Sequence, residues 1–226
     1  MKNMKNMVGL WLFLFITASV HSELLFNING GWLIGTEKYK ENSDSRFLQG
    51  FYGNLNFSFY PKNFFIGFFI SDALQFTNLE VSSEQTDIGF GNSIALGPAF
   101  IWRISPRIST VFSLGPFYEN YQRIHNAYDT QDSNKVTITD TLSATNIGLI
   151  GDVSVIFRTK KRFYFKTGLI GAWAFFRVQY KSQTIKDDSV SYTSTTTYPS
   201  ETPGYYNLGF IPYVGVGWRF ESIKFY

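Results

Sequence analysis

Residues 88–104 read IGFGNSIALGPAFIWRI, a run in which large and small side chains alternate. From Ile88 to Ile104 every second residue is bulky or apolar except Asn92, and the residues between them are mostly Gly, Ser or Ala. A period of two residues indicates a β-strand. The exposed face of a soluble strand normally carries Lys, Glu or Thr rather than glycine. The run therefore predicts a strand whose bulky face points toward an apolar medium.

The same sorting of side chains recurs in seven further segments, which gives eight predicted strands. The bulky faces of these seven segments begin at Phe26, Phe47, Phe64, Ile108, Ile147, Phe163 and Leu208. Beyond residue 22, no segment is apolar over the roughly 20 residues that a membrane-spanning helix needs. If the remainder of the chain crosses a membrane, it must therefore do so with strands.

The connections between these segments alternate in length. Short connections with turn-forming residues lie at 61–63, 105–107 and 159–162. Long polar connections lie at 36–45, 77–87, 125–143 and 181–204. In an antiparallel meander this alternation places every short turn at one end, which is typical of outer-membrane barrels. We therefore predict an all-β fold, an eight-stranded antiparallel up-and-down transmembrane β-barrel, because closing the ring leaves no unpaired strand edge in lipid.

The composition excludes several other classes of protein. The chain has 226 residues, of which 19% are aromatic and 16% are charged, and its mean hydropathy is −0.07. The high aromatic content and low net charge exclude disorder. The absence of Cys excludes a disulfide-stapled domain. A bundle of apolar helices is incompatible with a hydropathy near zero.

The first 22 residues resemble a secretory signal peptide. Lys2 and Lys5 precede an apolar run at 8–16, and small residues come before Glu23, where cleavage is expected. A retained membrane anchor is the alternative, although the apolar run is short for a spanning helix. Removing this segment leaves 18 basic and 17 acidic residues, so the mature chain is nearly neutral. We assign residues 23–220 to the barrel and 221–226 to a short C-terminal extension.

Tryptophan and charge both agree with a membrane orientation. The four Trp residues beyond the signal peptide all fall on the bulky faces, and interfacial aromatic anchors are expected there: Trp32, Trp102, Trp173 and Trp218. The four long connections hold twelve acidic and five basic residues, whereas the three short turns hold five basic residues and no acidic one. Basic residues near lipid phosphates are favoured by roughly 1 kcal/mol each. The short turns are therefore predicted to face the periplasm.

The last strand resembles the C-terminal assembly signal of small outer-membrane barrels. Its key residues are Tyr213, Gly215, Trp218 and Phe220, in the segment YVGVGWRF. The chain as a whole is similar in pattern to the OmpX/Ail, OmpA-barrel and OmpW-like families. The resemblance implies the outer membrane of a diderm bacterium, contact with its lipids and lipopolysaccharide, and recognition of the last strand by the barrel-assembly machinery. In those families the last aromatic residue ends the chain, so either Phe220 or Tyr226 is the recognised terminus.

Six charged residues fall on the inward face of the predicted strands: Arg103, Glu119, Asp152, Arg158, Lys166 and Arg219. An eight-stranded barrel encloses just enough space for side chains to fill. The favoured interpretation is a packed polar interior of ion pairs, because buried charges must be paired. The alternative is a narrow, gated conduit for small or hydrophobic solutes, as in the OmpW-like group.

Asp72 and His125 are the exceptions to the pattern. Asp72 falls on the lipid register of its strand, so either it lies near the outer interface or a bulge between Ser71 and Leu74 turns it inward. His125 is the single histidine beyond the signal peptide, and a lone loop histidine is usually solvated. Ile124-His125-Asn126-Ala127 does not match the histidine-serine pattern of lipid A deacylase barrels. We therefore predict no catalytic, cofactor or metal site.

The remaining functional signal lies in the long connections. Residues 136–142 alternate, and residues 190–198 are rich in β-favouring residues, so we expect strands to extend above the membrane there. Exposed strand edges at 125–143 and 181–204 could recruit surface partners, as in OmpX/Ail-like adhesion, or be merely solvated loops. Their acidity disfavours nucleic acid and other polyanions. The function predicted is therefore structural or surface-interacting and not enzymatic. The other two classes are a secreted lipocalin-like barrel with an apolar ligand, and a lipid-modifying enzyme.

Overall fold

The computed structural model describes residues 22–38, 45–61, 64–81, 85–131, 134–187, 192–201 and 206–221. Apart from Ser22, the predicted signal peptide lies outside the described residues, as does most of the C-terminal extension with Tyr226. The strands are β1 (Ser22–Lys38), β2 (Ser45–Pro61), β3 (Ile66–Val81), β4 (Gln85–Arg103), β5 (Ile108–Gln131), β6 (Asn134–Arg158), β7 (Phe163–Asp187), β8 (Tyr192–Glu201) and β9 (Tyr206–Glu221). Among the described residues, no helix is long and apolar enough to span a membrane.

Eight of the nine strands close into a ring. Strands β1 to β7 each pair antiparallel with the next, and β9 pairs with both β7 and β1. Strand β8 pairs with the far end of β7 and takes no part in the ring. The predicted fold, an eight-stranded up-and-down barrel, is confirmed.

The shear of the ring can be read from one row of paired residues. Starting from Asn27 on β1, the row passes through Asn56, Ser71, Ala95, Phe117, Gly148, Ala174 and Asn207. It returns to β1 at Glu37, so the shear number is 37 − 27 = 10. Ten for eight strands corresponds to a strand tilt of about 40°.

The inward and outward faces of the ring carry the kinds of side chain that the alternation predicts. Inward side chains such as Leu25, Tyr60 and Ile156 are almost fully buried. Outward side chains such as Phe57, Phe112 and Leu169 are exposed and apolar. The interior is thus filled by side chains while the apolar face points outward. The third strand begins two residues later than predicted, at Ile66, because Phe64 lies in the turn.

The strands continue well into the segments predicted as long connections. The β5–β6 pairing runs as far as Gln131 opposite Asn134, so nearly all of 125–143 is paired strand. The β1–β2 pairing likewise continues to Lys38 opposite Ser45. The predicted extension of strands at 136–142 is confirmed, whereas the loop bounds were too wide. Polar composition marks where a strand leaves lipid and does not mark where its pairing ends.

Strand β7 changes partner at a bulge. Its first half, 163–174, pairs with β9, and its second half, 178–187, pairs with β8. Opposite Ile147 and Gly148 on β6 stand Phe176 and Ala174, which leaves Phe175 as an extra residue. Beyond a bulge of this kind, each side chain of the strand points to the face opposite to the one that strict alternation predicts.

Candidate functional site

The middle of the barrel holds a buried ion pair. Lys166 Nζ on β7 donates to Asp152 Oδ2 on β6 at 2.7 Å, and both side chains are nearly inaccessible. The Tyr213 hydroxyl donates to Asp152 Oδ1 at 2.8 Å, and the Ser154 hydroxyl donates to Oδ2 at 3.3 Å. A carboxylate with three donors is well satisfied in a dry interior. The structure thus brings together two of the six inward charges proposed from the sequence, Asp152 and Lys166.

We call the end of the barrel with the short turns the inner end and the opposite end the outer end. A second cluster lies nearer the outer end and contains Glu119. Asn146 Nδ2 donates to Glu119 Oε2 at 2.5 Å, and the Gln75 amide donates to Oε1. Asn146 in turn accepts a hydrogen bond from Arg177 Nε at 2.9 Å, and Arg177 forms an ion pair with Glu37. The side chains of Arg177 and Glu37 are only 1% and 2% exposed. One guanidinium is therefore buried between two carboxylates.

Sequence reasoning missed Arg177 and Glu37, each for a specific reason. Strict alternation along β7 assigns Arg177 to the lipid face, but the extra residue Phe175 turns it inward. The polar sequence after the apolar part of β1 predicts a loop at Glu37, yet Glu37 pairs with Arg46 and Asn207 in the sheet. A continued count along β1 would have placed Glu37 on the inward face. No signal in the sequence marks the bulge.

A third cluster closes the inner end of the barrel. Glu23 accepts hydrogen bonds from Arg103 Nη2 and Arg158 Nη2, each at 2.9 Å. Arg158 is nearly buried, whereas the Arg103 side chain is 35% exposed. Arg219 is partly exposed near the end of β9, where its backbone N–H donates to the Arg162 carbonyl oxygen at 2.7 Å. The residue that joins the two arginines, Glu23, directly follows the predicted cleavage site.

Asparagines line the wall between these clusters. Asn29 Nδ2 donates to Asn54 Oδ1 at 2.5 Å, and Asn54 Nδ2 donates to Ser71 Oγ at 3.2 Å. Asn27 Nδ2 donates to the Tyr164 hydroxyl oxygen at 3.2 Å. All of these side chains are buried. Neutral amides thus fill the inward faces of β1 and β2, where alternation predicted polar residues without assigning them partners.

Two small cavities lie beside the polar clusters of the described interior. One cavity of about 40 Å³ lies beside Glu37, Glu119 and Arg177, and another of about 10 Å³ lies beside Asn54 and Asp152. A single water occupies on the order of 10–15 Å³ by this measure. These two cavities therefore have room for a few waters at most, between the polar clusters described above.

Above the apolar band, His125 lies close to an ion pair. Arg123 Nε donates to Asp87 Oδ1 at 2.6 Å. His125 Nδ1 lies 3.7 Å from Asp87 Oδ2, and its side chain is partly exposed. No group of three or more His, Asp or Glu side chains in the described ranges is arranged to hold a metal ion. The arrangement is a largely buried ion pair with a partly exposed imidazole beside it.

The tryptophans lie on the outward face near the two ends of the barrel. Trp32, Trp102 and Trp173 are exposed. Trp218 is partly covered, because its ring lies between Phe26 and Phe163 at centroid distances of 5.9 and 5.2 Å. Trp32 and Trp173 each lie ten residues beyond the inner end of their strand, which is roughly 25 Å along the barrel axis.

The last strand contains the proposed assembly segment. Its Tyr213 points inward to Asp152, and Phe220 points outward. A Cβ on Gly215 would lie 2.0 Å from Asn29 Oδ1, so a side chain at this position would displace the asparagine. The segment closes the ring by pairing with β1, and Gly215 leaves room beside this seam for the Asn29 side chain.

Asp72 faces outward in an uninterrupted part of β3. The pairs Asp72–Leu55 and Ala73–Asn54 follow one register, so the bulge considered from the sequence is absent at this described position. Asp72 Oδ1 accepts a hydrogen bond from Asn92 Nδ2 at 3.1 Å. It shares a row with Leu55 and Ile28, and the rise of that row between β1 and β3 places it about 4 Å below the level of Trp32. The carboxyl group is thus inside the apolar band, below the level of Trp32 and Trp173.

The chain was compared with known proteins and solved structures. No protein-family model matches the sequence, and no curated protein matches it. Among solved structures, Ail of Yersinia pestis is 17% identical over 87% of this chain and 98% of that chain, with a TM-score of 0.43. Neisserial surface protein A is 8% identical over 86% and 97%, with a TM-score of 0.46. A major outer membrane protein of Thermus thermophilus is 12% identical over 87% and 99%, with a TM-score of 0.49.

Similarity at this level transfers no activity and no partner to this chain. The fold assignment rests on the closed ring, its shear of ten and its outward apolar face. The chain has the fold of the small eight-stranded outer-membrane β-barrels.

Proposed function

We propose that this chain is an integral outer-membrane protein without enzymatic activity, exported by its signal peptide, that presents an extended β-sheet at the cell surface for interaction with partners. The observation that carries the proposal is the continuation of β5, β6 and β7 as paired strands far beyond Trp173. Ordered strands outside the lipid have no part in anchoring the barrel. A sheet of this kind is suited to recruiting a partner segment along its edge.

The outward face supports membrane insertion over a secreted, lipocalin-like barrel. Exposed Phe, Ile, Leu and Trp side chains cover the middle of every ring strand. A soluble barrel with an apolar ligand needs the reverse arrangement, with apolar residues inside. The inner end carries the basic short turns, and the outer connections carry net charge −7. The acidic outer end favours neutral or basic surface partners over polyanions.

The packed interior supports a closed barrel over a solute conduit. The Asp152–Lys166 pair, the Arg177 cluster and the Glu23 cluster occupy the lumen at three successive levels. The voids between them are of water size. The charges in the lumen therefore serve to fill and stabilise it.

Surface display and adhesion test this proposal together. Cells that carry the full chain are compared with cells whose residues 178–201 are replaced by a short Gly-Ser turn, which removes β8 and its partner segment of β7. Both proteins should reach the outer membrane and show the same change of gel mobility on heating. We expect only the full chain to increase adhesion to cultured epithelial cells. Equal adhesion by both strains, with equal amounts of barrel at the surface, contradicts the interaction role.

A further inference from the structure

One region of the outward face carries a group of neighbouring polar side chains. It comprises Asp72 on β3, Asn92 on β4, Asn120 and Gln122 on β5, and Thr145 on β6, and we call it the outer polar patch. Asn92, Asn120 and Thr145 are consecutive members of one paired row across the sheet. The patch is therefore continuous across four neighbouring strands.

The patch is partly organised by its own hydrogen bonds. Asn92 donates to Asp72, as described above, and the Tyr118 hydroxyl donates to Asn120 Oδ1 at 3.1 Å. Thr145 Oγ1 also donates to Asn120 Oδ1, at 3.4 Å. These bonds orient the Asn120 carboxamide with its oxygen toward protein donors. Asn120 and Gln122 are both exposed, so their amide N–H groups are accessible to an acceptor outside the barrel.

A groove of about 320 Å³ runs over this patch. Its floor is formed by Asn92, Asn120, Gln122 and Thr145, and its walls include the rings of Phe90 and Tyr180. Among the side chains that the structure describes, no Lys or Arg lines the groove. Recognition of a phosphate relies on charge-assisted donors, which are missing from this lining. Amide and hydroxyl groups between aromatic rings instead suit a ligand with many hydroxyl groups and apolar ring faces.

The groove lies at the level of lipid headgroups. Asn92 is eleven residues from the inner end of β4, and Asn120 is twelve residues from the inner end of β5. At about 2.5 Å of height per residue, both lie just beyond the outer anchors Trp32 and Trp173, at roughly 27–30 Å. An apolar band about 25 Å tall reaches this height, and the exposed Ile88 and Ile124 continue the apolar face somewhat farther out. Whatever fills the groove is therefore attached to, or adjacent to, the acyl chains of the outer leaflet.

We propose that the groove binds the sugar headgroup of a glycolipid in the outer leaflet. Sugar hydroxyls accept hydrogen bonds from the Asn120 and Gln122 amides, and a pyranose face packs on Tyr180 or Phe90. The acyl chains of the same lipid lie along the apolar face of β4 and β5 below the groove. The inference rests on the membrane orientation given under the proposed function, and it is independent of any surface partner.

Reconstitution into vesicles of defined composition tests this site. The refolded barrel is inserted into phosphatidylcholine vesicles alone, or with added diglucosyl diacylglycerol, or with added phosphatidylserine. The measured quantity is the midpoint of thermal unfolding, followed by the heat-dependent gel shift. We expect the sugar lipid to raise the midpoint in a saturable manner, whereas the anionic phospholipid leaves it unchanged. In Asn92→Leu/Asn120→Leu, the mole fraction of sugar lipid for half-maximal effect should rise about tenfold.

Gln49→Leu is the matched control. Gln49 faces outward twelve residues from the inner end of β2, at the same height as Asn120 but away from the groove. It should retain the full response to sugar lipid. If the double variant does not fold, Asn120→Ala, which adds no bulk, takes its place.

Three results overturn the proposal: no response to sugar lipid, an equal response to phosphatidylserine, or a response that survives in the groove variants. A chain that does not enter vesicles at all contradicts the membrane assignment itself. A chain that inserts and is indifferent to the sugar lipid contradicts the groove alone.

Discussion

Arg177 on β7 and Glu37 on β1 form a buried ion pair across the intervening strand β9, although 140 residues separate them in the sequence. The row Ala174, Asn207 and Glu37 brings the two side chains to the same level of the lumen. The bulge at Phe175 then turns Arg177 inward to meet the carboxylate. The seam between the first and last ring strands is thus held by side chains as well as by the backbone ladder.

Arg177→Ala should destabilise the barrel strongly, because it removes a buried guanidinium that pairs with Glu37 and donates to Asn146. Loss of one partner of a buried pair costs about 3–5 kcal/mol. The measurement is urea unfolding in vesicles, followed by tryptophan fluorescence. The double variant Glu37→Met/Arg177→Met removes both charges and should recover most of the loss. If the single and double variants are equally destabilised, the ion pair is not the cause.

The wild-type barrel should carry no steady current in a planar bilayer, because buried ion pairs fill the lumen at three levels. Asp152→Ala leaves Lys166 without its carboxylate and should reduce stability, yet it should not open a steady conductance through the remaining clusters. Single-channel recording on both proteins is the check. A steady wild-type current whose size shifts in Asp152→Ala would favour the conduit instead.

Gly217→Ala should impair closure of the ring. A Cβ at this position would lie 2.3 Å from the Tyr164 ring and 2.5 Å from the Phe26 carbonyl oxygen. Overpacking of this kind costs about 1–3 kcal/mol. The fraction of folded barrel after refolding into detergent measures the effect. Gly171→Ala is the control, since its Cβ would approach only the Phe210 ring, at 3.9 Å; equal yields for the two variants would rule out the predicted clash.

Asp72→Leu should stabilise the barrel in lipid, because it replaces an outward carboxyl group in the apolar band with an apolar side chain. The expected gain in unfolding free energy is about 1–2 kcal/mol, since a lipid-facing acid costs less than the 2–4 kcal/mol of a base at mid-depth. Asp72→Asn, which keeps a partner for Asn92, should fall between the two. Unfolding in vesicles of uncharged phospholipid gives the values. A loss of stability in Asp72→Leu would show that the carboxyl group is satisfied in the membrane.

The ring itself could be predicted from the sequence because lipid imposes a strict rule on one face of every strand. Residues 88–104 show that rule most clearly, and Phe26, Phe112 and Leu169 follow it in other strands. The short, basic turns then fix the direction of the meander. Whether a side chain points inward or outward could therefore be predicted through most of the apolar band by counting alternate residues.

Counting alternate residues as inward and outward fails beyond the apolar band, where lipid no longer requires every second side chain to be apolar. The bulge at Phe175 lies near the outer interface, where two successive aromatic residues both face outward and the sequence shows no break. Glu37 and Asp87 lie on strands whose polar ends look like loops, so their roles could not be assigned. Asp72 was ambiguous because a straight strand and a bulged strand have the same composition; only the pairing with Leu55 decides it.

The position of the bulge has a consequence for how the chain tolerates insertions. Below Ala174 every strand belongs to a closed ring. A single inserted residue would there exchange the inward-facing and outward-facing side chains of its strand, unless a second insertion restored the alternation. Beyond Arg177, β7 has left β9 and pairs with β8, which has no closure condition to meet. Single-residue insertions and deletions are therefore expected to accumulate in the outer sheet while the ring keeps its length. The surface sheet can diversify freely, and the anchor below it remains constant.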